Sequence, residues 1–287
     1  MNAPQTHERI ALSQSQGWRA SLSLRVEARN ARSVLTHNLH NGPLRVQKAL
    51  YPEGDEVCQI LILHPPAGIA GGDQLRIDLD VGNNAHAQIT TPGAGKWYRS
   101  LGPTATQRIH LNVAASAVLE WLPQEVIVFD RAIADTETMV TLAPGARAIG
   151  WDIVCLGRTA SGESFKQGSY RQRFRLQRPD GSPIWRETMH LQGSDAAMSS
   201  KLGLADHTVF GTLWLAGIKP DAALLEALRG LSISQGTCGV SALPDVTAVR
   251  LVSNSSEAAR QYFEAVWAVA RQHVLQRTAV PPRIWRT

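Results

Sequence analysis

Cysteine is scarce in this chain. Its 287 residues include only Cys58, Cys155 and Cys238, which are odd in number and far apart. That spacing argues against a disulfide framework and against a CxxC zinc site. Each cysteine lies in an apolar run typical of a strand, where a free cysteine usually behaves as a small core hydrophobe. We therefore predict that all three are structural.

The sequence also lacks long apolar runs. No window approaches the roughly 18 consecutive apolar residues that a membrane helix needs. Residues 1–16 contain no basic stretch followed by an apolar one, and their longest apolar run covers residues 10–12. A secretory signal is therefore not expected. We predict a soluble, cytoplasmic protein in which residues 1–17 form a flexible N-terminal segment.

Lysine is the third residue type in short supply. The chain has a formal net charge of +5, yet lysine occurs only at positions 48, 96, 166, 201 and 219, so arginine supplies nearly all the positive charge. A basic surface favours acidic partners, either nucleic acid or acidic proteins. A coding bias toward arginine and alanine would give the same composition, so charge alone leaves the partner open.

The sequence is rich in strand-like alternation. In residues 18–26 every second residue is apolar, and the intervening residues are arginine or serine. A period of two over nine residues is a strong signal for a half-buried strand. The predicted fold class is therefore mainly β. Further strands are predicted at residues 57–63, 74–81, 85–91, 105–113, 117–121, 125–129, 136–142, 146–156, 169–177 and 183–191.

A degenerate repeat organises this region, with copies at residues 81–89, 113–121 and 142–150. Each copy has an apolar strand end, three small or turn-forming residues, and a strand that begins with alanine. The offsets of 32 and 29 residues are typical of stacked β units, which bury their faces against their neighbours. We predict an elongated, layered, β-helix-like body with a few helices.

Two helices are predicted near the C-terminus. Proline at position 220 and glycine at position 230 mark the start and the end of a short helix. A long helix is predicted over about residues 255–277, with Asn254 as its N-cap and Glu257 three residues further on.

The pattern of elements changes after about residue 205. Three more strands accompany the helices, at residues 208–218, 237–243 and 246–252. We interpret residues 18–287 as a single domain. Its β-rich body covers about residues 18–205, and an α/β module covers about residues 206–287.

Two glycine-rich stretches resemble nucleotide-binding motifs but do not satisfy them. Residues 93–96 read Gly-Ala-Gly-Lys, yet Thr90 stands where a phosphate-binding loop needs glycine, and Trp97 stands where it needs serine or threonine. Residues 68–72 likewise fail the dinucleotide-binding fingerprint. The chain also has no GxSxG nucleophile elbow and no HExxH zinc motif. No enzyme class is supported, and both stretches are predicted to be loops.

Carboxylates gather in the loop-rich part of the chain, with His64 nearby in sequence. The nine histidines are otherwise scattered, without an HxH pair, so a tight metal site is not expected. Imidazole suits nickel, whereas carboxylate is a harder ligand, and a sparse path of oxygen atoms would pass a divalent ion without trapping it. Ordinary surface carboxylates on turns are the alternative. The candidates are Asp73, Glu120, Glu125, Asp130, Asp152 and Glu163.

A row of arginines forms a candidate partner-binding surface. Arg171, Arg173 and Arg175 alternate along the predicted strand at residues 169–177 and so share one face. Such a row could bind an acidic partner or a phosphate backbone. A solvated outer face and a charged edge strand remain alternatives.

Six segments occur in the order and spacing of the UreD family, also called UreH. From about Trp18 to the C-terminus the chain resembles these urease accessory proteins. One departure is Ala67, where the family motif has a second glycine. The segments are HPPAGIAGGD (64–73), TPGAGKWYRS (91–100), LEWLPQEVIVFDRA (119–132), GWDIVCLGR (150–158), PIWRE (183–187) and AVPPRIWRT (279–287).

The resemblance implies a metallochaperone scaffold that is not an enzyme. Such a protein binds UreF and the GTPase UreG, and the complex docks on apo-urease so that nickel can be incorporated. Nickel(II) would be in transit through an internal passage, with no tightly bound cofactor, no membrane and no nucleic acid, and a dimer within the complex is an option. The motif carboxylates carried over are Asp73, Glu120, Glu125, Asp130 and Glu163, with His64 beside them.

Two other classes of function compete with this one. A β-solenoid hydrolase would need paired carboxylates at a fixed separation, and such enzymes are often secreted, which the N-terminus does not favour. A basic nucleic-acid-binding module would rest on the arginine row and the net charge.

Overall fold

Strands dominate the computed structural model, which describes residues 17–286. The predicted flexible segment therefore lies, apart from Gly17, outside the described residues. The strands are β1 (Arg19–Arg29), β2 (Arg32–Asn41), β3 (Arg45–Val46), β4 (Val57–Leu63), β5 (Gln74–Val81), β6 (His86–Thr90), β7 (Gly95–Trp97), β8 (Ala105–Val113), β9 (Val118–Leu122), β10 (Val126–Val128), β11 (Ile133–Leu142), β12 (Arg147–Leu156), β13 (Ser169–Gln177), β14 (Pro183–Gln192), β15 (Val209–Ala216), β16 (Thr237–Ala242) and β17 (Val246–Ser253). The helices are α1 (Ala222–Arg229) and α2 (Ser256–Leu275), with short 3-10 turns at Thr159–Ser161, Ala196–Met198 and Arg283–Arg286.

The strands form two sheets. The first has the order β14-β13-β11-β8-β5-β1-β2, and the second β16-β17-β15-β12-β9-β6-β4-β3, with β7 and β10 attached beside β12. Strands β1, β5, β8, β11 and β13 are parallel in the first sheet, and β4, β6, β9 and β12 are parallel in the second. The chain alternates between the sheets from β4 to β13. This β-solenoid-like layering, with two helices, confirms the predicted fold class.

The repeat corresponds to short turns that stack along one edge of the solenoid. They carry the chain from the first sheet to the second at residues 82–85, 114–117 and 143–146. Each turn is tied to the preceding copy by its backbone, since Ala114 donates to the carbonyl of Val81 and Ala143 donates to the carbonyl of Val113, both at 2.9 Å. Equal turn lengths keep the strands in register, which explains the spacing of the repeat.

The return connections lie at the opposite edge and are much longer. Residues 64–73 connect β4 to β5, and residues 157–168 connect β12 to β13. Residues 68–72, one of the glycine-rich stretches, lie in the first of these loops, as predicted. Residues 93–96 lie between β6 and β8, where Gly95 and Lys96 begin the short strand β7, so the predicted loop is only partly correct there. Ala67 has φ of 62°, in the left-handed region that favours glycine, so the departure from the family motif places a residue with a Cβ in a strained turn.

Two apolar cores give the molecule three layers. The larger core lies between the sheets, and the smaller one lies between the second sheet and the two helices. Strands β15 and β17 continue the second sheet beyond β12, so the C-terminal strands share a sheet with the solenoid. Neither helix in the described part of the chain has the length and hydrophobicity needed to cross a membrane.

The predicted N-cap of the long helix is wrong by one residue. The hydroxyl of Ser255 accepts the amide of Ala258 at 3.1 Å, which makes Ser255 the N-cap of α2. The side chain of Asn254 instead accepts the amide of Thr208 at 2.9 Å. Asn254 therefore fastens the end of β17 to the start of β15, so its oxygen is not available to the helix.

Candidate functional site

A partly open cavity of about 290 Å³ lies between the two sheets, at the edge that carries the long loops. Its walls come mostly from apolar side chains of both sheets and from loop residues 91–97. Several polar and charged groups interrupt these apolar walls, which sets the cavity apart from the remainder of the core. They are His64, Thr91, Lys96, Gln107, Gln124 and Asp152.

Strand β12 places Asp152 inside the molecule. Trp151 and Ile153 belong to the core against the helices, and successive side chains of a strand point to opposite faces. Asp152 therefore faces the first sheet. Its burial, reinforced by the negative charge of Glu187, raises the pKa of the carboxyl to about 6. The result is a half-buried acidic group between the sheets, with a pKa close to that of a histidine.

A second cavity, of about 30 Å³, is also lined by Asp152. This volume is enough for one or two water molecules. Its other walls include the carboxylate of Glu187 and the thioether of Met189. The indole N–H of Trp214, which also lines this cavity, is buried without a hydrogen-bond partner among the described residues. Asp152 thus lines both the large and the small cavity.

Glu187 lies where the small cavity approaches the outer surface. It belongs to β14, the edge strand of the first sheet. Its Oε1 atom accepts the Nε–H of Arg250 on β17 at 3.2 Å, and the two side chains are 31% and 43% exposed. Glu187 therefore contacts both the cavity and a solvent-facing cation.

His64 provides the imidazole of the larger cavity. It follows β4 directly and begins the first long loop. Burial lowers its pKa, an effect that the negative charge of Asp73 partly opposes. The ring is therefore neutral at pH 7, which is the form that binds a metal ion.

The other candidate carboxylates do not line either cavity. Asp73 accepts the amides of Trp18 and Ala70, both at 2.8 Å. These bonds join the long loop 64–73 to the residue before β1. Asp73 is 8% exposed, so its visible role is to close this loop.

Asp130 and Glu163 hold neighbouring loops together. Asp130 accepts the amides of Lys166 and Gln167, both at 2.8 Å. Glu163 accepts the amide of Asp130 at 3.1 Å and pairs with Arg158 at 2.7 Å. The hydrogen bond from Arg158 holds the pKa of Glu163 below its usual value. Both carboxylates thus have partners that stabilise the long-loop edge.

Glu120 lies on the helix side of the second sheet and is fully buried. It accepts hydrogen bonds from His86 at 2.6 Å and from the indole of Trp267 at 2.6 Å, and Arg271 of α2 pairs with it at 3.0 Å. Burial acts to raise the pKa of Glu120, but His86, Arg271 and Trp267 outweigh it, and the pKa is lowered. This network attaches α2 to the sheet.

Glu125 is the remaining candidate, directly before β10. Its Oε2 atom is buried and has no hydrogen-bond partner among the described residues. Its charge adds to burial in raising the pKa of Cys155 to about 12. Since Cys155 belongs to the core against the helices, Glu125 faces that side of the sheet and not the inter-sheet cavity.

Within residues 17–286, no three His, Cys, Asp or Glu side chains lie close enough together to hold a metal ion. The structure therefore places His64 and Asp152 on one cavity and distributes the other candidates over separate structural contacts. Sequence reasoning considered Asp152 but did not retain it, and it overlooked Glu187 as a site residue. The available signal was a lone acidic residue in the apolar run GWDIVCLG, which predicts a buried charge.

The arginine row lies on the outer face of the first sheet, on β13. Arg173 pairs with Asp135 at 2.7 Å and with Glu137 at 3.2 Å, and Arg175 pairs with Glu137 at 3.3 Å. Arg171 is exposed. Strand β11 thus supplies acidic partners to Arg173 and Arg175. Binding of a partner protein by the arginine row stays a prediction.

These features define a β-solenoid-like scaffold with acidic groups in its interior. Comparison with known protein families gives the family itself. The model of the UreD urease accessory protein family matches residues 18–286. The chain belongs to the UreD family of urease accessory proteins, which confirms the resemblance seen in the sequence. Membership of this family gives the chain an accessory role toward urease.

Curated relatives agree over nearly the whole chain. The urease accessory protein UreD of Dechloromonas aromatica (strain RCB) is 51% identical over 286 residues, covering 97% of this chain and 99% of that protein. The UreD proteins of Azoarcus sp. (strain BH72) and Nitrosococcus oceani are 45% and 46% identical, each covering 94% of this chain and 95% and 90% of their own lengths.

Proposed function

We propose that this chain is a scaffold that passes nickel(II) to apo-urease as part of a complex with UreF and UreG. The ion is cargo, carried through the interior between the two sheets. Asp152 is the central group of this route, with His64 on the larger cavity and Glu187 on the smaller one. This function is not catalytic.

The observation that carries the proposal is the position of Asp152 on two cavities between the sheets. A carboxylate in an apolar core is costly unless a cation or hydrogen bonds compensate it, and desolvation has raised its pKa to about 6. A divalent cation would supply the missing compensation. A site with few ligands binds such an ion weakly enough to release it, which suits transit better than storage.

Met189 and His64 would offer the ion ligand atoms that are softer than carboxylate oxygen. A thioether and a neutral imidazole favour nickel over magnesium or calcium, which prefer oxygen ligands. Met189 lies on the small cavity and His64 on the large one. The chemistry of the lining thus agrees with a first-row transition metal as the cargo.

The proposal predicts that Asp152→Asn lowers urease activation. Urease is co-expressed with UreF, UreG and either form of this chain at limiting nickel, and urease activity and nickel content are measured. We expect a loss of about tenfold, comparable to the loss of a group that supports a metal site. Excess nickel should reduce the difference, because mass action compensates weaker transfer.

Two controls separate transport from assembly. Glu226→Gln removes an exposed carboxylate of α1 and should leave activation unchanged. Co-purification of UreF and UreG with the Asp152→Asn chain should match the wild type. Full activation by Asp152→Asn at limiting nickel would refute the internal route, and loss of the complex would assign Asp152 to folding instead.

A further inference from the structure

Arg250 pairs with Glu187, the carboxylate of the proposed route that lies nearest the surface. Its Nε–H donates to Oε1 of Glu187 at 3.2 Å, and Glu187 lines the small cavity together with Asp152. A guanidinium and a metal cation both need the lone pairs of this carboxylate. Resting on the proposed function, we propose that Arg250 is a displaceable latch, which holds Glu187 when no ion is present and leaves it when nickel binds there.

The surroundings of Arg250 leave room for this movement. In the second sheet Arg250 is opposite Gly239 of edge strand β16 and Thr212 of β15. A Cβ added at Gly239 would meet no atom within 4 Å, so open space lies beside Arg250 on the outer side. The arginine side chain is 43% exposed. Its guanidinium can therefore rotate into solvent without displacing any neighbouring side chain.

The contact itself is weak enough to be broken. Only Nε of Arg250 bonds to Glu187, whereas the strong arginine–carboxylate geometry is bidentate. Partly exposed ion pairs of this kind contribute little. A divalent cation brings twice the charge to the same oxygen atoms, so it should outcompete the guanidinium. Trp185, whose ring centre lies 5.6 Å from the guanidinium, keeps the released arginine near its starting position.

The latch has a consequence for the cargo. With Arg250 in place, the charge of Glu187 is neutralised and nickel must displace a cation before it binds. The need to displace Arg250 lowers the net affinity of the route for nickel, and this makes release of the ion easier. Loss of Arg250 should therefore tighten binding of nickel and slow its transfer, although the carboxylates are unchanged.

Calorimetric titration of the purified full-length chain with NiCl₂ tests the latch at low ionic strength. Arg250→Gln is expected to bind Ni²⁺ about three- to tenfold more tightly than the wild type, because removing one exposed cation relieves a modest repulsion. Arg250→Lys keeps the positive charge and should remain near the wild type. Arg178→Gln breaks a comparable exposed pair, with Asp245 at 3.1 Å, and should change nothing.

The outcomes distinguish the latch from the proposed function. Equal or weaker Ni²⁺ binding by Arg250→Gln, with unchanged melting temperature, would overturn the latch, even where Asp152→Asn still abolishes urease activation. Absence of binding by the wild type together with binding by Arg250→Gln would support it, and absence of binding by both would overturn it. The proposed function stands or falls separately, on the activation assay with Asp152→Asn.

Discussion

A single carboxyl group, Asp152, combines an energetic cost to the folded chain with the proposed chemistry. Its side chain is surrounded mostly by apolar atoms of both sheets, and its nearest charge is the like charge of Glu187. Natural proteins commonly retain such costs where a function needs them. The cost can be measured because it depends on pH.

Asp152→Asn is expected to stabilise the protein at alkaline pH. The folded-state pKa is raised from 3.8 to about 6, so the folded chain keeps this proton longer than the unfolded chain, and stability falls as pH rises through that window. Above pH 6 the full cost applies, and removing the charge should raise the free energy of unfolding by up to about 3 kcal/mol. Urea unfolding at pH 4 and pH 8 would measure it.

The pH dependence provides its own control. Below about pH 3.8 the two proteins should become equally stable, since Asp152 is then protonated in both states. Asp180→Asn should act in the opposite direction, because hydrogen bonds from Ser182 lower the pKa of Asp180. A stability gain independent of pH would contradict the account. A variant that is more stable yet delivers less nickel could not owe that loss to misfolding.

Only some residues of the candidate site could be predicted from the sequence. His64 and the acid in GWDIVCLG could be recognised from the residues, but proximity between β12 and β14 could not, because these strands belong to different sheets. Asp73, Asp130 and Glu163 looked like ligands because loop carboxylates often are. Their amide partners lie up to 55 residues away, and sequence alone does not show such distant contacts.

Among the elements, helix α2 depends on buried charge to a degree unusual for a surface helix. Arg271 is fully buried and pairs with Glu120 at 3.0 Å and with Glu53 at 2.7 Å. Trp285, beyond the helix, donates to the hydroxyl of Thr90 at 2.8 Å. Polar contacts of this kind fix one docking position, because any other position would leave buried groups without partners.

Glu120→Gln is expected to destabilise the chain by about 3 kcal/mol, since it leaves part of the buried charge on Arg271 without a partner. The pKa of Glu120 is lowered from 4.5 in the folded state, so its stabilisation is present above that pH and is lost as pH falls below it. Urea unfolding at pH 7 measures the difference. Glu264→Gln breaks a partly buried pair with Arg260 within α2. Because burial raises the pKa of Glu264, this change should cost less than about 0.5 kcal/mol, and equal losses would argue against the network.

Most strands with a regular buried face were predicted well, whereas the edge strand β2 was missed. Alternation located β5, β8 and β13 with the bounds that the structure gives. Strand β2 was not predicted, because Ser33 is its only buried residue and the pattern of two is absent. It forms by pairing with β1 at the edge of the sheet, a contact that depends on the neighbour and leaves no period in the sequence.

For the whole molecule, connections at the same edge of the solenoid differ in what they tolerate, since the parallel strands β11 and β13 both end at this edge. The short turns are joined to one another by backbone hydrogen bonds, whereas the hairpin between β13 and β14 ends in Gly181, beside which a Cβ would meet nothing within 4 Å. The degenerate repeat predicted this stacking because its copies have turns of equal length. It contained no information on the long loops, whose lengths vary.

Insertion of Gly-Ser between Ala115 and Ser116 is expected to lower the free energy of unfolding by about 2 kcal/mol, because about two backbone hydrogen bonds to adjacent turns are lost. The same insertion between Asp180 and Gly181 should cost less than about 1 kcal/mol, since the backbone hydrogen bonds of this exposed turn are local and lengthening it has a small entropic cost. Urea unfolding of both variants tests this. Similar losses at the two positions would show that turn stacking contributes little.

The stacked strands also fix the lateral distances between residues of the second sheet. His64 follows β4 and Asp152 lies on β12, three strand positions apart in the order β12-β9-β6-β4. Neighbouring strands are spaced by roughly 4.8 Å, so the lateral span between these two groups is about 14 Å and can change only in whole strand steps. Duplicating one repeat would lengthen the interior by one such step while both edges kept their geometry. Under the proposed function, the distance between these two groups of the route is therefore set by the number of strands between them.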